Sequence, residues 1–276
     1  MGAGELKRND VTREIEVTLL RSRTRDVERR MDEVAVEEPL HILINGEHYA
    51  TILCTPSDKE ALVVGNIISE GLIRNLDEVR DIQPGEGGAY LVHLRDDVDI
   101  LKRLELSSSF KRLILSSCGT ATAWPFSKII DRINIPKVTD PIIFNPQVIS
   151  EGVRNLNSVA ETYRKTGGVH AAALYTNEGN LISFAEDVGR HNAIDKVIGL
   201  ALQQGRGFTG TMIASTGRLT GDIVLKMARM RIPLIASIAA AIDSGVEVAA
   251  KTGVTLVGFV RGDRMTIYTS PERVSW

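Results

Sequence analysis

Residues 186–196 run Glu186-Asp187-Val188-Gly189-Arg190-His191-Asn192-Ala193-Ile194-Asp195-Lys196, and what flanks them decides the fold class. Upstream, residues 171–175 form an apolar, strand-like run; downstream, Ile194, Val197, Ile198 and Ala201 recur at helical spacing. Charged groups are buried only at a cost unless they are paired. So dense a polar cluster therefore belongs at a strand-to-helix junction, where α/β sheets place ligand chemistry. A solvated turn with a capped helix start is the plainer alternative, but loops this rich in functional groups usually carry function.

Outward from this junction the pattern alternates. Strands are expected at 169–175 and 181–184 around Asn177-Glu178-Gly179, then a helix from Asn192 to about Gly205 and a strand at 210–215. A helix at 219–231, a strand at 233–237, a helix at 243–252 and strands at 254–260 and 265–268 follow. The alternation predicts an α/β (α+β) protein with a mixed, largely parallel sheet and helices on its faces. Ahead of it, residues 146–165 read as one helix stopped by Gly167-Gly168. In the N-terminal half, Asn45-Gly46 between two apolar runs predicts a hairpin with a type I′ turn. Thr55-Pro56-Ser57-Asp58 starts a helix that Gly71 ends, 83–88 is a turn, and 89–94 is a strand. A short strand at 111–115 delivers Ser116-Ser117-Cys118-Gly119 at its exit. The expected organisation is a flexible or loosely docked leader (1–33), a smaller N-terminal α+β domain (34–118), a proline-punctuated linker with the active-site loop (119–144) and a C-terminal domain (145–276).

Composition narrows the function classes. A net charge of −2 over 276 residues gives no basic excess for duplex nucleic acid, and no apolar run is long enough to span a bilayer. The charged N-terminus lacks an apolar signal-peptide core. The two cysteines make neither a disulfide framework nor a four-ligand metal site, so a reducing cytoplasm is the expected home.

Cys118 is the candidate nucleophile, because Ser116, Ser117, Gly119 and Thr120 are poor core material and hold a thiol near the surface on a permissive backbone. Cys54, inside Thr51-Ile52-Leu53-Cys54, reads as core or as a residue that supports the site from behind. His170 is followed by Ala171-Ala172, and no P-C-x-x-C exists, so zinc hydrolysis of the deaminase kind is not expected. Thr216, Gly217 and Arg218 follow a strand and open a helix, a junction that offers N–H groups, hydroxyls and a guanidinium to an anion. His170 enters a strand from a second glycine turn. Gly258 to Arg264 forms a third, with Arg261 and Arg264 for phosphates and Asp263 for a base edge. With Arg190 and His191, these loops point to a large, anionic, nucleotide-like ligand.

Taken together, these segments resemble the formate dehydrogenase accessory sulfurtransferases, sulfur carrier proteins of the FdhD/NarQ type. The matching residues are Glu38-Pro39-Leu40, Ile44-Asn45-Gly46, Cys54-Thr55-Pro56, I-S-E-G-L-I at 68–73, Ser116-Ser117-Cys118-Gly119, Thr166 to Ala172, the 186–196 string, Gly217-Arg218 and L-V-G-F-V-R at 256–261. The resemblance implies a cytidine-deaminase-like C-terminal domain without the zinc. It implies that sulfane sulfur moves from a cysteine desulfurase to Cys118 as a persulfide. From there it passes to the molybdenum (or tungsten) bis(molybdopterin guanine dinucleotide) cofactor of formate dehydrogenase. Phe259, Val260, Arg261, Gly262, Asp263 and Arg264 correspond to the cofactor-binding stretch, with GDP as a surrogate ligand. The expected partners are the desulfurase, the formate dehydrogenase catalytic subunit and a second copy of the chain in a homodimer. Many members carry C-G-x-C at the loop, whereas here Ala121 stands where the second cysteine would be. Either one cysteine suffices for relay, which is the expectation adopted, or the chain has kept binding and lost transfer. The competing reading is a cofactor-binding chaperone that moves no sulfur.

Overall fold

Strict alternation in the C-terminal strands explains how one sheet is buried on both faces. In β7 (His170–Thr176), Ala171, Ala173 and Tyr175 face one side, and Ala172 and Leu174 face the other. In β9 (Thr211–Ser215), Met212 and Ala214 join the first set and Ile213 the second. Both faces need a cover, and the helices between the strands supply it. The computed structural model describes residues 11–100, 103 and 135–275; the expected strand at 111–115, Cys118, Ala121 and residues 119–134 of the linker lie outside the described residues.

The chain begins with β1 (Thr12–Arg21) and β2 (Asp26–Ala35), an antiparallel ribbon paired at all ten positions. This corrects the expectation of a leader for residues 12–33. The segment is charge-rich because a two-stranded ribbon satisfies its backbone by pairing and needs little core. No residue of the ribbon is fully buried; its base, Glu33 to Ala35, is half-buried where Gly168 passes close to Ala35, as are Thr12, Val17 and Leu19.

A four-stranded sheet follows in the order β4-β3-β6-β5. β3 (Glu38–Ile44) and β4 (Glu47–Cys54) form the expected hairpin, with Asn45 at φ 50° and Gly46 at φ 86°, as a type I′ turn requires. β5 (Val79–Pro84), whose last two residues fall within the stretch expected as a turn, pairs antiparallel with β6 (Ala89–Leu94), and β6 runs parallel to β3. Between β4 and β5, α1 (Lys59–Ser69) carries the apolar side chains Leu62, Val63 and Ile67 into the core. Each contributes about 1.5–3 kcal/mol by its burial.

The second half holds α2 (Pro146–Val159), α3 (Glu161–Thr166), β7, β8 (Leu181–Asp187), α4 (Arg190–Gln203), β9, α5 (Gly221–Met230), β10 (Leu234–Ser237), α6 (Asp243–Thr252), β11 (Thr255–Arg261) and β12 (Arg264–Ile267). The helix expected over 146–165 breaks at Ala160, whose ψ of 82° is not helical. The six strands lie in the order β12-β11-β10-β9-β7-β8. Only the β9–β10 and β10–β11 pairings are parallel, so the sheet is mixed, not largely parallel. The hairpin connections into β8 and β12 account for two of the three antiparallel pairings, because a short turn can join only antiparallel strands, and the third is β7 against β9.

One face of this sheet packs on α2, through Ile149, Val153 and Leu156. The other packs on α4, α5 and α6, and the same core continues into α1 and the four-stranded sheet through Leu40, Ile42 and Leu62. The α1–α4 contact is close enough for backbones to touch. A Cβ on Gly65 would stand 1.7 Å from the Asp195 carbonyl oxygen, and one on Gly199 would stand 1.9 Å from that of Ala61.

Candidate functional site

β9, β10 and β11 end at Ser215, Ser237 and Arg261, all at one edge of the six-stranded sheet. β7 runs the other way, so its first residue, His170, lies at the same edge and pairs with Asp187 at the end of β8. This is the carboxyl edge of the parallel strands, where α/β sheets bind ligands.

The 186–196 segment is built around a buried ion pair. Lys196 Nζ lies 2.7 Å from Asp187 Oδ2, and both side chains are fully buried. Asp187 also accepts from Gly189 N at 2.9 Å, Asn192 Nδ2 at 2.8 Å and Thr55 N at 3.1 Å. Lys196 donates to the Thr55 carbonyl at 3.1 Å, the Glu186 carbonyl at 3.2 Å and Ser57 Oγ at 3.3 Å. Val188 N donates to Thr55 Oγ1. The Cys54-Thr55-Pro56 corner of the N-terminal sheet is thus tied to the strand-to-helix loop. Thr55 cannot then cap α1, and Asp58 takes the N-cap position at φ 49° without a side-chain cap. Glu186 is structural as well: its carboxylate accepts from Thr162 N and Tyr163 N at the start of α3.

A second buried network crosses the same helices. Asp195 accepts from Lys226 at 2.8 Å, Ser69 Oγ at 2.7 Å and Asn66 Nδ2 at 3.0 Å, and Lys226 also meets Glu70 at 2.8 Å. Burial pulls the Lys226 ammonium down, but Asp195 and Glu70 outweigh it and hold its pKa above the ordinary lysine value. Asp195 and Lys196 therefore belong to different networks, each anchoring the N-terminal half.

With the segment so held, Arg190 and His191 project at the sheet edge. A Cβ on Gly217 would sit 2.8 Å from Arg190 Cβ, so the glycine leaves room for the arginine to lie across the turn. Arg190 Nε is buried and has no hydrogen-bond partner among the described residues. His191 Nε2 lies 2.5 Å from Asp222 Oδ2. Burial alone would raise the Asp222 carboxyl. The hydrogen bond and charge of His191, with the Thr220 hydroxyl and Ile223 N–H, outweigh it and keep the group well below the usual carboxylate range. His170 Nδ1 lies 3.2 Å from Thr216 Oγ1. Its pKa is lowered first by burial and then by Arg190, His191 and Arg218, with Asp187 opposing.

The turn itself differs from the phosphate cradle suggested by its sequence. Thr216 N donates to the Ala171 carbonyl, Gly217 N to Ser215 Oγ, and Ala171 N donates to Thr216 Oγ1. The N-terminus of α5 is occupied by the chain's own Asp222 and by Ser244, which accepts from Gly221 N. What remains for a ligand here is side-chain charge, on Arg190 and Arg218.

The 259–264 candidates lie on the β11–β12 hairpin, at the same sheet edge but on different strands. Arg261 pairs with Arg264 across a two-residue turn, with Gly262 at φ 62°. Val260 is buried and packs into the core, so its side chain is not available to a ligand. Phe259 is 42% exposed at φ 51°, a conformation rare for an aromatic residue, and its N–H is held by the Ala239 carbonyl at 3.0 Å. The Arg261 guanidinium carbon lies 6.0 Å from the Phe259 ring centroid. A cleft of about 570 Å³ opens here, lined by Phe259, Arg261, Asp263 and Arg264 together with Pro146 and Val274. Among the described residues no three His, Cys, Asp or Glu side chains converge as a metal site, and no helix is long and apolar enough to cross a membrane.

Cys54 is fully buried, within electrostatic reach of the Asp187–Lys196 pair. Its thiol is pushed up to about 11, by burial first and then by the Asp187 carboxylate, against Lys196 and Lys59. At neutral pH it is an inert thiol.

Comparison with known proteins shows the family. The chain matches the FdhD/NarQ family over residues 35–275. It is 36% identical over 244 residues to the sulfur carrier protein FdhD of Shouchella clausii, covering 88% of this chain and 90% of that one. To the sulfur carrier protein FdhD of Streptomyces avermitilis it is 32% identical over 275 residues, covering 93% and 94%. A crystal structure described as a formate dehydrogenase accessory protein, from Desulfotalea psychrophila, has a TM-score of 0.76 at 26% identity, over 96% of this chain and 100% of that one. With the family's match running from the third strand to the end of the described chain, this protein belongs to the FdhD/NarQ family.

Proposed function

We propose that the chain is a sulfur carrier in formate dehydrogenase maturation, with Cys118 as the carrying residue. The state of Cys54 supports this reading most directly. The chain has two cysteines, and the burial and raised pKa of Cys54 leave sulfur chemistry to Cys118. In the first step the Cys118 thiolate attacks the terminal sulfur of a cysteine desulfurase persulfide. The old S–S bond breaks, the desulfurase thiolate leaves, and a persulfide stands on Cys118 with no net change in oxidation state. In the second step the Cys118 S–S bond breaks, the Cys118 thiolate is the leaving group, and the outer sulfur passes to the molybdenum or tungsten bis(molybdopterin guanine dinucleotide) cofactor, the substrate of the transfer, whose reduced metal would supply the two electrons that turn sulfane sulfur into sulfide.

The β11–β12 hairpin fits the guanine end of that substrate. Phe259 and Arg261 offer a ring and a guanidinium for stacking, and Asp263 can accept from two N–H groups of a guanine edge. The cluster of His170, Arg190, His191, Thr216, Gly217 and Arg218 serves the remainder of the cofactor. A Cys118→Ala variant tests the carrier role. Incubated with a cysteine desulfurase and radiolabelled cysteine, it should take up no label, and it should not support formate dehydrogenase activity in a deletion strain. Full complementation would refute sulfur transfer and favour a binding chaperone.

A further inference from the structure

Arg190 and Arg218 are cations without a counterion: neither forms an ion pair among the described residues, and Arg190 Nε is buried without a hydrogen-bond partner. Two imidazoles stand with them, His170 at the start of β7 and His191 at the start of α4. The nearest acids are already engaged, Asp222 by His191 and Asp187 by Lys196. Gly217 lets the Arg190 side chain lie directly against the β9–α5 turn that carries Arg218, and α4 begins at Gly189 without a side-chain cap, so its positive end adds to the field. Concentrated positive charge with no internal partner at the carboxyl edge of a sheet calls for an anion with several oxygens.

We propose that His170, Arg190 and Arg218 form a pyrophosphate subsite, separate from the hairpin cleft that meets the base, and that His170 takes up a proton when the anion binds. This rests on the cofactor-binding reading above and divides it between two places on the sheet edge. The proton uptake has a physical cause. In the free protein the His170 pKa lies below the ordinary histidine value, lowered by burial first and then by Arg190 and His191 of α4 and Arg218 of the β9–α5 turn, with Asp187 of β8 opposing. An anion that neutralises the arginines removes that repulsion, so the imidazole pKa rises and affinity increases as pH falls.

Calorimetry on the full chain with GDP, inorganic pyrophosphate and guanosine tests the division. Arg190→Ala and Arg218→Ala should each weaken GDP and pyrophosphate by about tenfold or more, the size expected for one charge-assisted hydrogen bond. Guanosine binding should not change. If Arg190→Ala lowers the melting temperature, Arg190→Lys keeps the charge and loses the planar fork, and should still weaken GDP. Wild-type affinity for GDP should rise relative to that of His170→Asn between pH 8 and pH 6, a comparison in which the titration of the phosphate itself cancels. Unchanged GDP binding in both arginine variants, equal loss of guanosine, or no GDP binding by the wild type would overturn the proposal. Sulfur loading of Cys118 is read separately, so a failure of the carrier reading would leave these affinities untouched.

Discussion

Replacing Asp187 by Ala should destabilise the protein more than almost any other single change at the site. The side chain is fully buried and accepts from Lys196 at 2.7 Å, Asn192 at 2.8 Å, Gly189 at 2.9 Å and Thr55 at 3.1 Å. Its removal leaves a buried ammonium whose other contacts are neutral oxygens at 3.1–3.3 Å, from Thr55, Glu186 and Ser57. Breaking a buried pair from one side costs about 3–5 kcal/mol. Asn192 keeps the Leu53 carbonyl, but Thr55 N loses its acceptor, so the upper half of that range applies. For a chain of this size the corresponding fall in melting temperature is on the order of 10 °C. Guanidinium unfolding followed by circular dichroism measures the loss, and Asp187→Leu combined with Lys196→Met should recover much of it, since no charge is then stranded. A loss below about 1 kcal/mol, or single-variant losses that simply add in the double variant, would show that the pair does not hold the loop.

Three further outcomes follow from the packing and the titrations. Ala at Gly65 or Gly199 would place a methyl group 1.7 Å or 1.9 Å from a facing carbonyl oxygen, and should cost about 1–3 kcal/mol or more by forcing α1 and α4 apart, measurable by chemical denaturation. In a Cys118→Ala background, iodoacetamide at pH 7.5 should leave Cys54 unmodified until denaturant is added; labelling of the native protein within minutes, seen by intact mass, would contradict its buried, high-pKa state. Because the folded pKa of Asp222 lies below its ordinary 3.8, its contribution to stability is complete above that value and is lost as pH falls below it. Asp222→Asn should therefore flatten the acid limb of a melting curve taken from pH 6 to pH 2, and an unaltered limb would remove the His191–Asp222 bond from the account.

Local patterns were legible in the chain because their causes are local. Asn45-Gly46 forms its turn from two residues that tolerate positive φ, and the helical spacing of Ile194, Val197 and Ile198 marks α4 as a helix, although the fold buries that helix on all sides from Asn192 to Gly199. The strand-to-helix placement of the 186–196 string could be read for the same reason. Its chemistry could not be apportioned from sequence. Glu186 caps a helix, Asp187 and Lys196 neutralise each other, and Asp195 belongs to another network, leaving Arg190 to face the open edge. Those assignments depend on Thr55, 132 positions from Asp187, and on Lys226, 31 positions from Asp195. No periodicity encodes such partners. The same holds for Gly65 and Gly199, which as letters are a helix weakness and in space are the contact that joins α1 to α4. The charge of a residue is written in the sequence, but whether that charge is cancelled depends on what the fold brings beside it, and a buried charge tolerates only a close partner.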